Sequence, residues 1–133
     1  MDAAAEKEIV RRYFSKAHQD RALYALQSPK RHSYIWNLDE SFFRRTGRQE
    51  LSPGGDIPSE LKKQGCGGSC YVISIEEPID GTYAPVEDAI RSTVGNGPAL
   101  LVFKEAGLAY FEGEYEIGSK TKRFLIRALS CDG

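Results

Sequence analysis

The chain has 133 residues, 41% apolar and 28% charged, with a net charge of −1 and a calculated pI near 6.1. That length suits one domain around one core and is too short for two well-packed ones. No apolar run approaches the roughly 20 residues that a membrane-spanning helix needs, and the composition is that of a globular protein, not a disordered or fibrous one.

The first residues, MDAAAEKEIVRR, mix acids and bases where a secretory signal would carry a basic end and then an unbroken apolar stretch. From Glu6 to about Leu26, Ile9, Val10, Tyr13, Phe14, Ala17 and Tyr24 share one side of a helical wheel, which predicts an amphipathic helix. Ser28-Pro29 reads as a stop and a new N-cap, opening a second helix to about Arg45. Its inner stripe is Tyr34, Ile35, Leu38 and Phe42. Trp36 and Phe43, seven residues apart, fall on nearly the opposite side and form a second stripe that needs a partner.

Residues 46–69 are dense in Gly, Pro and Ser and read as a long connection, with room for a short helical turn at Ser59 to Gln64. Cys70 to Glu76 alternates Tyr71, Ile73 and Ile75 on one face and predicts a strand, ended by Pro78 and Asp80-Gly81. Pro85 opens a third helix whose buried stripe is Val86, Ala89, Ile90 and Val94, stopped at Gly95. Ala99 to Phe103 is a central strand, joined through Glu105-Ala106-Gly107 to a strand at Leu108 to Glu114. A turn near Gly118-Ser119 leads to the last strand, Arg123 to Leu129. The fold class expected is α+β: one domain over 1–133, a helical part (1–45), a long connection (46–69) and a β-α-β-β-β part (70–130) with a largely antiparallel sheet.

Chemistry concentrates in Gln64-Gly65-Cys66-Gly67-Gly68-Ser69-Cys70-Tyr71. The run QGCGGSCYVIS resembles the nucleophile segment of papain-like cysteine proteases. The resemblance would make Cys70 the nucleophile, Gln64 an oxyanion-holding residue and Tyr71 the occupant of a position usually held by tryptophan. Only 63 residues follow Cys70 and none is histidine, so the downstream base of that family has no counterpart here. The paired cysteine is also displaced, Cys66 standing one position early and Gly67 in its place. A different thiol enzyme, or a small-ligand protein, would pair Cys70 or Cys66 with His18 or His32. The simpler reading makes the glycines a tight entrance to a strand and the cysteines fillers of apolar gaps.

Three cysteines, two of them four positions apart, suit reduced thiols in a cytoplasmic compartment better than a disulfide framework. Cys66, Cys70, Cys131 and one histidine could supply zinc ligands, but C-x3-C lacks the usual knuckle spacing, so no metal and no cofactor is expected. No G-K-[ST] follows the glycines, which removes a nucleotide P-loop. Glu112, Glu114 and Glu116 alternate along one strand face opposite Lys120, Lys122 and Arg123, the pattern of a solvated face with cross-strand ion pairs.

Charge is uneven: residues 1–48 hold 10 Lys/Arg against 6 Asp/Glu, and residues 49–133 hold 8 against 13. Arg11, Arg12, Lys16, Arg21, Lys30, Arg31, Arg44, Arg45 and Arg48 interleave with aromatics in the helical part, a composition compatible with nucleic acid. The acidic overall pI weighs against that alternative. The leading expectation is a small binding or regulatory protein, inhibitor- or immunity-like, which acts through a protein partner without catalysis. Trp36, Phe43, Arg44 and Arg45 are its candidate contact residues, because aromatics and arginine are favoured in interface centres.

Overall fold

In the computed structural model, which describes residues 1–52, 55–114 and 122–129, the N-terminal apolar stripe is divided between two helices. α1 spans Ala3–Tyr13 and α2 spans Lys16–Leu26. Phe14 and Ser15 between them are extended and pair with the segment at Phe43: Ser15 N–H donates to Phe42 O at 2.9 Å and Arg44 N–H to Tyr13 O at 3.0 Å. The interruption resets the helical phase. α2 therefore buries Ala22, Ala25 and Leu26, while Ala17 and Tyr24 face solvent rather than continuing the stripe.

The second helix is also shorter than the sequence predicts. α3 covers Arg31–Trp36, and a 3-10 turn follows at Glu40–Phe42, its amide at Ser41 capped by the Asp39 carboxylate at 3.1 Å. With no helix joining residue 36 to residue 43, Trp36 and Phe43 share no stripe. Trp36 is 42% exposed, whereas Phe43 is 1% exposed and packs on Phe14 and Phe111 at centroid separations of 4.6 and 4.8 Å.

Within the connection, β1 (Arg48–Glu50) pairs with the last strand, and α4 (Ile57–Lys63) starts on Asp56, whose carboxylate accepts from Ser59 N–H. β2 (Ser69–Ser74), β3 (Tyr83–Pro85), α5 (Val86–Thr93), β4 (Ala99–Phe103), β5 (Leu108–Glu112) and β6 (Arg123–Arg127) follow. All pairings are antiparallel, in the order β1-β6-β5-β4-β2-β3. The protein is α+β, with the meander β4-β5-β6 as expected and two short edge strands that the sequence does not announce. The turn at Gly118-Ser119, Glu116, Lys120 and Cys131 lie outside the described residues.

Period-two alternation divides the sheet between two cores. Tyr71, Ile73, Leu100, Val102, Phe111 and Phe124 face α1, α2 and α3; Cys70, Val72, Leu101, Phe103, Tyr110 and Leu125 face α4 and α5. The result is a sheet covered by helices on both sides, which explains why β4 and β5 are buried along their whole length.

Candidate functional site

The candidate site is a cleft of about 610 Å³ where β2 and β4 part company, roofed by α1. Its wall begins at the C-terminus of α4. Gly65 and Gly68 hold φ of 81° and 74°, values that disfavour any side chain, and bring the chain round into β2. Between them Cys66 turns inward, its N–H bonded to Leu61 O at 2.9 Å. Gly67, Gly68 and Ser69 are exposed along the rim, and Cys70 is again buried. The opposite lip is the β4–β5 turn, including Lys104, Glu105 and Ala106, and α1 contributes Ala4, Ala5, Glu8, Ile9, Arg12 and Tyr13.

A buried polar network fixes the back wall. Every N–H of the Arg31 guanidinium is used: Nη1 and Nη2 donate to Glu6 at 2.5 and 2.8 Å, Nε and Nη2 to Asp80 at 2.8 and 2.9 Å, and Nη1 also to Leu26 O at 3.0 Å. Burial opposes the charge on Arg31, but the bonds to Asp80 and Glu6 outweigh it and hold the group protonated beyond its ordinary range. Tyr71, which lines the cleft, donates to Glu6 Oε2 at 2.6 Å and accepts from Asp2 N–H at 3.2 Å. Asp2 also caps Ala5 N–H at 3.0 Å and accepts from the Tyr83 hydroxyl at 2.9 Å, contacts that lower its pKa. One chain of bonds thus connects the first turn of α1 to β2, β3 and the base of α3.

Both thiols lie in apolar surroundings that favour the protonated form. Burial pushes Cys66 up to about 11, and burial together with the neighbouring Cys66 pushes Cys70 up to about 12. No histidine lines the cleft. His18 stacks on Phe42 at 4.8 Å with Nδ1 2.8 Å from Ser15 Oγ, and His32 Nε2 accepts from the Trp36 indole at 2.9 Å. The structure brings Cys66 and Cys70 to one cleft and leaves both histidines elsewhere. Among the described residues no group of His, Cys, Asp and Glu is arranged to hold a metal ion.

The four expected contact residues are not brought together. Phe43 is core, and Arg44 donates twice to Arg12 O, at 3.2 and 2.6 Å, and once to Arg127 O at 2.6 Å. Arg45 and Trp36 remain exposed. The basic composition of the helical part is likewise partly internal: Arg31 is buried, and Arg48 donates to the carbonyls of Arg44 and Phe43 at 2.7 Å while lying 4.5 Å over the Phe124 ring. Glu112 does not belong to a solvated face. It is 1% exposed, accepting from Tyr110, Arg123 and the Gly95 amide at 2.8, 2.9 and 2.7 Å, while Glu114 is exposed.

Sequence reasoning misses Tyr13, Glu6 and Ser69 as site residues. Glu6 carries a readable signal, since it precedes Ile9 and Val10 by three and four positions and so sits on the buried stripe of α1. Ser69 carries none, because its importance comes from where two strands diverge. No protein-family model, curated protein or solved structure matches this chain.

Proposed function

We propose that this protein is a non-catalytic binding protein that works through a protein partner and receives part of that partner in the cleft between α1, the Gly65 to Tyr71 segment and the β4–β5 turn. The observation that carries the reading is the cleft itself: about 610 Å³, within the range of about 300–1,000 Å³ typical of ligand sites, bounded by thiols that burial keeps protonated. Catalysis by Cys66 or Cys70 would need a base within hydrogen-bond reach or one water away, and no imidazole lines this cleft. No helix among the described residues is long and apolar enough to cross a membrane.

The reading moves the contact surface away from Trp36 and Arg45. Ala4 lies on the exposed side of α1 and lines the cleft, so Ala4→Trp fills the space without disturbing a core position. Affinity capture from the source cell, repeated with Ala4→Trp and Trp36→Ala, tests the assignment. The partner is lost with Ala4→Trp and kept with Trp36→Ala; the reverse pattern returns the interface to α3, and capture unaffected by either variant removes both surfaces.

A further inference from the structure

We infer that the occupant of the cleft is an extended peptide segment of the partner, docked by main-chain pairing with Ser69 and placing an apolar side chain against Tyr13, Cys66 and Cys70. The inference rests on the binding reading above and names its ligand class. Hydrogen-bond alternation in the sheet carries it. Val72 N–H donates to Thr82 O at 3.0 Å and Val86 N–H to Gly68 O at 2.9 Å, so the even-numbered residues of this stretch point their amides at β3. The odd-numbered ones point at β4, where Ile73 faces Leu100 and Tyr71 faces Val102.

Continued by one more step, that register would set Ser69 opposite Lys104. The ladder stops first, at Tyr71 and Val102, and no backbone hydrogen bond joins Ser69 to Lys104. Each prong of the fork is held on its outer side, Cys70 by Ala84 of β3 and Phe103 by Leu108 of β5, so the gap is part of the fold. Ser69 therefore presents its N–H and C=O together toward the cleft. A donor and an acceptor on one residue, facing the same way, are matched by the C=O and N–H of another extended residue, the basis of strand addition.

The surroundings suit a chain. A Cβ added at Gly65, Gly67 or Gly68 would meet nothing within 4 Å, so no side chain shields the rim from an approaching backbone. The α1 side is small at Ala4 and Ala5, and Ile9, Val102 and Phe103 give the lining apolar surface. Tyr13 also lines the cleft; it is 1% exposed and its hydroxyl makes no hydrogen bond to any described residue, so an occupant that reached it would supply a partner. Lining charges are mixed, with Asp2, Glu8 and Glu105 against Arg12 and Lys104, which favours a neutral amide backbone over a polyanion.

A displayed library of random linear peptides, selected against the whole protein, supplies the probe, followed by fluorescence polarisation and by NMR hydrogen exchange at backbone amides. The selected peptide slows exchange of the Ser69 amide by about tenfold or more and loses about tenfold in affinity when one internal nitrogen is methylated. It fails to bind Ala4→Trp and Gly67→Trp, both checked for native amide spectra. Peptides that bind while Ser69 exchange is unchanged and the methylation scan is flat overturn the main-chain pairing but leave a binding protein. A small-amide fragment library, screened in the same way, separates the ligand classes. Fragments that protect Ser69 where no peptide does overturn the peptide class. If neither library shifts an amide lining the cleft, the inference and the binding reading fall together.

Discussion

The two ends of β2 treat their polar groups in opposite ways. At Ser74 the backbone amide donates to Asp80, Asp80 is clasped by Arg31, and Arg31 has no N–H left over. At Ser69 the strand ends in a fork, in a cleft also lined by Tyr13, whose hydroxyl has no partner among the described residues, and by a glycine rim with open space above it. The contrast separates two uses of polarity in one fold. Groups that satisfy one another inside the molecule hold elements together; groups left unsatisfied beside an open cleft are the ones the proposed peptide would pair.

The sharpest way to break this comparison is Arg31→Met, which keeps bulk and removes the cation. Glu6, 2% exposed, and Asp80 then lose their counter-charge in a buried setting, and a loss of about 3–5 kcal/mol follows from an uncompensated buried charge. Urea denaturation at neutral pH reads the loss directly. Ala4→Trp, on the exposed side of α1 across the cleft from Ser69, stays within about 0.5 kcal/mol of the parent, as surface substitutions do. A loss below about 1 kcal/mol for Arg31→Met would show that the network is not what joins α1, α3 and β2.

How much of this was legible in the sequence depends on the range of the interaction concerned. Continuous apolar runs such as Ala99 to Phe103 identify central strands, and Pro85 with Gly95 brackets α5 correctly to within a residue or two, because these signals are local. The break at Phe14-Ser15 is different. Neither residue disfavours a helix strongly, and what opens the chain there is pairing with Phe43, which sequence periodicity does not register. β1 and β3, at three residues each, are too short to show alternation. The Gly65 to Ser69 segment is legible as a tight entrance to a strand and as the chemically distinctive loop. Its histidine partners are not, since that question is one of spatial approach, and the fold answers it by holding His18 and His32 at other contacts.

The thiols test whether the cleft end is inert toward acid–base chemistry, at a smaller energetic scale. A thiol is neutral when protonated, and burial raises its folded pKa above the unfolded value of about 8.5. Its contribution to stability is therefore complete below about pH 8.5 and is lost as pH rises toward about 11 for Cys66 and about 12 for Cys70. The slope is about 1.4 kcal/mol per pH unit for each thiol in that window. Urea midpoints of the parent should fall from pH 8.5 upward more steeply than those of Cys66→Ala and Cys70→Ala, and iodoacetamide at pH 8 should modify the native protein far more slowly than the unfolded chain. Equal slopes, or rapid native modification, would mean that a thiolate is sustained in the cleft and would reopen thiol chemistry there.

The smallest effects fall on two tyrosines that share a defect and differ in access. Neither the Tyr34 nor the Tyr13 hydroxyl has a hydrogen-bond partner among the described residues, and burial pushes both phenols up to about 12. Tyr34 stacks on Phe42 at 5.6 Å with its hydroxyl oxygen fully enclosed, whereas Tyr13 lines the cleft, and its oxygen is not among the enclosed unpaired atoms. Removing an enclosed, unpaired hydroxyl relieves a desolvation cost, so Tyr34→Phe raises stability by up to about 1 kcal/mol and leaves peptide binding unchanged. Tyr13→Phe changes stability by about 1 kcal/mol or less and weakens the selected peptide by about threefold to tenfold, the value of one lost hydrogen bond. Thermal unfolding and polarisation titrations on the two variants make the comparison with the same peptide and buffer. Should both substitutions stabilise the fold and neither touch affinity, the Tyr13 hydroxyl is an ordinary packing defect and drops out of the recognition of the peptide.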